Sequence, residues 1–230
     1  MMKGKIVNFL LGVVFIAGIC LMAYPFVSDK LNVFSQKKEI SAYEAGVEKL
    51  ASDEMELARL TAVAYNEALV LDSGRWNFSE KEGEEYWTLL NLSGNGTMGY
   101  VEIPKINCLL SIGHGTSEAV LETAIGHIEG SSLPVGGVGT HCVLSGHRGL
   151  PSAKLFSDLD KIAEGDEFYL HVLDETLTYV VDQIVVVEPD DTEELAIDPE
   201  RDYCTLVTCT PYGVNSHRLL VRGERKGETN

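Results

Sequence analysis

The sequence predicts a mainly β domain, a barrel or sandwich of short strands, carried behind a membrane-spanning helix and a short helical region. Three observations lead there. The first is a run from Ile6 to Val27 without a single charge. The second is a set of apolar residues at helical spacing between Glu39 and Leu71, and the third is the change from Met98 onward to short apolar runs separated by turn residues. A chain of 230 residues has room for an anchor and one domain that buries its own core.

Residues 1 to 28 are assigned to the anchor. At a rise of ~1.5 Å per residue the uncharged run crosses a hydrocarbon layer of ~30 Å. A cleaved signal peptide would have a shorter apolar core and a small-residue cleavage site, so an uncleaved anchor is expected. Lys3 and Lys5 precede the run and Asp29 accompanies Lys30 after it, which places the N-terminus inside and the rest of the chain outside. Residues 29 to 96 form the helical region. After a short polar stretch, Ile40, Tyr43, Val47 and Leu50 mark one helix, and Leu57, Leu60, Ala64 and Ala68 a second. Ser52-Asp53-Glu54 between them supplies a capping residue and first-turn acids. From Asp72 to Tyr86 the chain turns polar and acidic, with two isolated aromatics, Trp76 and Phe78, and reads as a loop.

Residues 97 to 230 hold the strands. The runs are Gly99 to Ile103, Cys108 to Ile112, Cys142 to Gly146, Glu167 to Leu173, Thr176 to Val187, Tyr203 to Cys209 and His217 to Glu224. Asp174-Glu175 marks a hairpin turn, and Ser117 to Thr123 and Ala153 to Ile162 have helix-like spacing. Charge narrows the partners. Residues 39 to 230 carry 13 basic and 34 acidic groups, a net charge of −21, which repels polyphosphate, so nucleic acid is excluded as a partner.

Two of the runs end on reactive groups. Thr205-Leu206-Val207-Thr208-Cys209 breaks into Thr210-Pro211-Tyr212-Gly213, which puts the Cys209 thiol at a strand end, and Cys142-Val143-Leu144-Ser145-Gly146 ends on His147 in the same way. Arg218 follows nine residues after Cys209. Cysteine, histidine and arginine together suit acyl transfer, with the thiolate as nucleophile, the imidazole as proton carrier and the guanidinium as oxyanion ligand. No metal or other cofactor is expected. His114, His127, His141, His171 and His217 have no spacing that marks a metal site. Cys20 lies in the span, and Cys108, Cys142 and Cys204 fall in apolar runs as small buried hydrophobes. Cys142 and Cys204 each stand five residues before their reactive group, so adjacent parallel strands would bring them level, as a bridge would require. Thr208 and Ser145 either orient the reactive groups or simply pack, and Arg148 and Arg222 are expected at the surface or in salt bridges.

Four stretches carry a resemblance to a known family: Gly126-His127-Ile128-Glu129-Gly130-Ser131-Ser132-Leu133-Pro134-Val135-Gly136-Gly137; Leu144-Ser145-Gly146-His147-Arg148-Gly149-Leu150-Pro151; Thr205 to Cys209 with Pro211-Tyr212-Gly213; and Arg218-Leu219-Leu220-Val221-Arg222-Gly223. Over residues 39 to 225 the chain resembles the class C, or pilin-specific, sortases. The resemblance implies an eight-stranded closed β-barrel with short inserted helices. It implies catalysis by His147, Cys209 and Arg218, with Cys209 cleaving an LPxTG-like sorting signal between threonine and glycine. The acyl group then passes to a lysine amine of a pilin subunit, in the cell membrane of a Gram-positive bacterium with the catalytic domain extracellular. The alternatives are attachment of surface proteins to a peptidoglycan precursor and, from another class, a noncatalytic β-barrel scaffold. Pilin sortases carry a lid built on an Asp-Pro-aromatic motif. Here the corresponding stretch reads Asp72-Ser73-Gly74-Arg75-Trp76, without the proline and with wider spacing, so Asp72 and Trp76 are the candidate lid residues and a plain linker is the competing expectation.

Overall fold

The computed structural model describes residues 2–72, 74–77, 80–92 and 94–227. Ser73 and Phe78, both in the candidate lid, lie outside them. Helix α1 (Met2–Val47) is one continuous helix of 46 residues, long and apolar enough to cross a membrane. The expected break after the anchor is absent, because residues 28 to 38 hold no proline or glycine and their polar side chains find partners on the barrel. Gln36 is buried, donating to Thr123 O at 2.7 Å and accepting from Ser111 N–H at 2.7 Å. Ile40, Tyr43 and Val47 are buried at the expected spacing.

Helix α2 (Ser52–Val70) starts one residue earlier than a Ser52 cap would allow. Ala51 is the flanking residue, and Glu54 Oε2 accepts its N–H at 3.1 Å. Its buried stripe is also rotated. Ala62, Asn66 and Leu69 face inward, while Leu57 and Leu60 are exposed. The reason is Asn66, whose side chain exchanges two hydrogen bonds with the Leu133 backbone, at 3.1 and 2.7 Å, and so takes a place that an apolar count assigns to leucine. Arg59 holds the helix to the barrel through Asp174 and Glu175, both at 2.5 Å. Within the stretch read as a loop, Glu80–Tyr86 forms a short helix, α3.

Among the described residues eight strands close a barrel: β1 (Thr97–Ile103), β2 (Cys108–His114), β3 (Ile125–His127), β4 (Thr140–Ser145), β5 (Glu167–Val172), β6 (Glu175–Val187), β7 (Asp202–Thr210) and β8 (His217–Arg225). Their order is β1-β2-β3-β4-β7-β8-β6-β5, with β5 returning to β1. β2 with β3 and β4 with β7 are parallel, and the other pairs are antiparallel. β3 is the strand that the sequence pattern missed. The hairpin between β5 and β6 turns on Leu173 and Asp174, one residue earlier than expected, with Leu173 at φ +55°. Helix-like spacing near Ser117 resolves into the single turn α4 (Glu118–Leu121).

The inside-out alternation of β7 and β8 divides the packing. Leu206, Cys204, Leu219 and Val221 enter the barrel core with Phe168, Tyr179 and Leu144. Val207 and Leu220 face outward and join Val143 and Leu195 in a second, smaller apolar cluster. That outer cluster is the floor on which the reactive groups stand.

Candidate active site

Three strands place the three expected residues in one row. β4 and β7 pair in parallel with Ser145 opposite Val207, and Gly146 N–H extends the ladder to Val207 O at 3.0 Å. Carrying that register on by two residues sets His147 beside Cys209. On the other side, Cys209 is the direct antiparallel partner of Arg218, which in turn pairs with Val187 of β6. His147, Cys209 and Arg218 share the outward parity of Val207 and Leu220, so all three stand on the face of the outer apolar cluster. Each of the three is partly exposed.

The supports of this row come from both strand ends. Thr208 is buried and its hydroxyl donates to Gly146 O at 2.7 Å, which fixes the peptide leading into His147. This gives Thr208 an orienting role. Gly146 itself has no room for a side chain: a Cβ there would lie 2.7 Å from the Phe156 ring. Arg218 donates through Nη1 to His217 O at 3.1 Å. Arg148, expected at the surface or in a salt bridge, is in a salt bridge with only 7% of its side chain exposed. It pairs with Asp160, donates to Thr210 Oγ1 at 3.2 Å and lies 5.8 Å over the Tyr212 ring, so it binds the loop after His147 to the segment after Cys209. Nothing in the local sequence marks it, since Asp160 is 12 residues away and Thr210 is 62. Arg222 is in the expected salt bridge, 2.6 Å from Asp182.

The thiols differ by environment. Cys142 and Cys204 are register partners, level as the equal spacing requires, and both are free and buried. Burial pushes the Cys204 thiol well above its ordinary range and that of Cys108 up to about 12. Cys209 is free and partly exposed. His141 and His127 are structural. His141 Nδ1 faces Ala196 O at 2.8 Å, so it carries the proton and Nε2 accepts from Thr205 at 2.7 Å. Burial pushes His141 down to about 4.

The segment after α2 lies on the same outer face. Trp76 packs against the cluster of Val143, Leu195, Val207 and Leu220, the last two being the row next to Cys209 and Arg218. Arg75, which the sequence did not single out, is the fastening. Its guanidinium donates to Gly130 O at 2.7 Å and Leu195 O at 2.8 Å, and stacks 4.1 Å from the Trp76 ring centre. Gly130, at φ +83°, permits that approach, because a Cβ there would fall 2.1 Å from Arg75 O. Asp72 is turned to its own loop, with Oδ1 accepting Gly74 N–H at 2.7 Å.

Comparison with known proteins places this geometry. Residues 101–226 match the model of the sortase domain. The chain is 32% identical over 130 residues to sortase D of Bacillus subtilis and 28% identical over 137 residues to sortase A of Bacillus anthracis, matches covering 55% and 60% of this chain and 63% of each of theirs. Among solved structures it resembles sortase C1 of Streptococcus agalactiae, with 50% identity, a TM-score of 0.80 and coverage of 82% of this chain and 98% of that one. It also resembles Clostridium perfringens sortase C, solved with the C-terminal cell wall sorting motif, with 42% identity, a TM-score of 0.72 and coverage of 82% and 98%.

Proposed function

The chain belongs to the sortase family, and from this membership and the geometry of the outer face we propose that it is a membrane-anchored cysteine transpeptidase of the pilin-polymerising class. The observation that carries the proposal is the row His147, Cys209, Arg218, built on three neighbouring strands and opening on an apolar floor. Residues 1–28 act as anchor, 29–96 as a helical support with its lid, and 97–230 as the catalytic barrel.

The Cys209 thiolate attacks the threonine carbonyl of an LPxTG-like signal, and Arg218 donates to the oxygen as it gains charge. His147 passes a proton to the departing glycine amine, leaving a thioester on Cys209. A lysine amine of a pilin subunit attacks that thioester, gives its proton to His147 and leaves as an isopeptide, with the thiolate restored. Val143, Val207 and Leu220 offer an apolar bed for the leucine and proline of the signal. Trp76 occupies that bed in the resting enzyme, and the Asp72–Tyr86 segment is the lid, held by Arg75 where relatives use an Asp-Pro-aromatic motif.

The test is incubation of the full chain with an LPxTG peptide, trapping of the adduct and mass spectrometry of the Cys209 peptide. A mass gain equal to the acyl fragment, passed on to a lysine-bearing pilin domain, is expected. An intact peptide after prolonged incubation with a chain freed of residues 73 to 82 would refute the reaction. Transfer to a peptidoglycan precursor in preference to lysine would refute the acceptor.

A further inference from the structure

Among the described residues, the first hydrogen bond from helix α1 to the rest of the domain comes two residues after its uncharged stretch ends at Val27. Asp29 Oδ1 accepts Lys154 N–H at 2.9 Å, and Asn32 donates to Thr123 O at 2.9 Å. Farther along, Tyr43 accepts Leu173 N–H at 2.8 Å and Tyr100 donates to Glu44 at 2.8 Å. The barrel is therefore ranged along the helix, with the Lys154 loop at the membrane end and the β5–β6 turn about 21 Å away from it at ~1.5 Å per residue.

Strand pairing tells which end is catalytic. β6 starts beside that far turn, with Glu175 opposite Val172, and runs 13 residues to Val187. Val187 pairs with Arg218, and Arg218 with Cys209. The catalytic row stands at the end away from Leu173, and the loop after His147 leads within seven residues to Lys154 on α1.

We infer that the catalytic end of the barrel faces the bilayer, with the turn joining β7 to β8 in contact with the lipid headgroups. The surface there suits such a seat. Tyr212 and Val214 of the turn are 62% and 68% exposed, and on α1 the side chains of Leu31 and Phe34, beyond the uncharged stretch, are 64% and 70% exposed. An exposed tyrosine beside an apolar residue is the composition that a membrane interface favours. Three of the six lysines in residues 39 to 230, Lys105, Lys154 and Lys161, border this end. They pair with Asp166 and Asp158, which offsets part of the acidity that the rest of the domain carries. Acids of the Glu188 to Glu194 stretch leave β6 at the same end, so the contact rests on the apolar turn and not on net charge. The mouth then takes its substrate from the plane of the membrane.

This rests on α1 being a membrane anchor, and the experiment separates the two. The full chain carrying Val214→Trp is reconstituted in phosphatidylcholine vesicles containing a lipid with a headgroup nitroxide, beside a Tyr212→Trp chain and a Val138→Trp chain, Val138 being an exposed residue near the opposite end. Emission is compared with the unsubstituted protein, which supplies the background of Trp76 and Trp87. A loss of the added emission at positions 214 and 212, with none at 138, is expected. Flotation with the vesicles but no quenching at 214 and 212, or equal quenching at all three, overturns the proposal. Failure to float overturns the anchor and the proposal with it.

Discussion

Replacing Trp76 by alanine should unmask Cys209 without unfolding the barrel. Burying a large aromatic completely is worth ~3–5 kcal/mol against alanine. Trp76 is only half-buried, so the loss is taken as roughly 2 kcal/mol. Because the indole belongs to a segment laid on the outer face and not to the barrel core, the loss falls on closure of the segment. At about 1.4 kcal/mol per factor of ten, the open population rises on the order of 30-fold. Cys209 is partly exposed in the closed state and reacts there at a basal rate, so with fast closing the same factor is the upper limit of the rise in alkylation. Iodoacetamide labelling of the Cys209 peptide, timed by mass spectrometry, measures this. Cys108, Cys142 and Cys204 are buried and report any global opening in the same digest. Two further variants act on the closed state by other routes: Arg75→Ala removes both carbonyl contacts, and Gly130→Ala sets a methyl against the Arg75 carbonyl. Wild-type labelling rates in all three folded variants would refute the lid and leave the segment as a linker.

Cys209→Ala should abolish peptide cleavage and Arg218→Lys should lower kcat/KM on the order of 10²-fold, as for one lost oxyanion donor; retained turnover in Cys209→Ala, or its loss in folded Cys204→Ala, contradicts the assignment. Arg148→Ala should lower kcat on the order of 10- to 10²-fold with KM little changed, by loosening His147 against Cys209, and added guanidinium should restore part of it. A fall in melting temperature alone would make Arg148 merely structural. His141 is pushed down to about 4 by burial, against about 6.5 when unfolded. The unfolded chain therefore takes up the proton first, and the stability tied to neutral His141 is complete above pH 6.5 and lost as pH falls toward 4. Urea unfolding at pH 7 and pH 5 should show a steeper loss in the wild type than in His141→Gln, and equal slopes would refute it.

The catalytic strands were legible because each is a β-branched run of ordinary length stopped by glycine or proline, as at Gly146 and Pro211. The level placement of Cys142 and Cys204 follows from counting once their strands are adjacent and parallel. β3 has three residues, too few to show a period. The inward face of α2 escapes an apolar count because the decisive side chain, Asn66, is polar and is satisfied by one remote peptide unit, Leu133. The polar stretch of α1 suggests a break, yet its Asn32 and Gln36 both donate to one carbonyl, Thr123 O, and the helix runs on. The burial of Arg148 and the fastening role of Arg75 are not legible in the sequence, for a common reason. A charged residue announces nothing about burial when its partners, Thr210 and Gly130, lie more than 50 positions away.

The parallel pairing of β4 with β7 makes the spacing of histidine and cysteine a matter of counting. Both strands enter the pair at the same end, Thr140 beside Asp202, and run in step until the reactive groups emerge. Loops of any length before Thr140, or between Arg148 and Asp202, leave that count unchanged, so surface loops can diverge freely while the chemistry stays aligned. A single residue inserted within either strand would do what no loop change can: it would turn one reactive group to the barrel interior and leave the other outside. Variation among relatives should therefore collect in loop length and spare the interval from Cys142 to His147 and from Cys204 to Cys209.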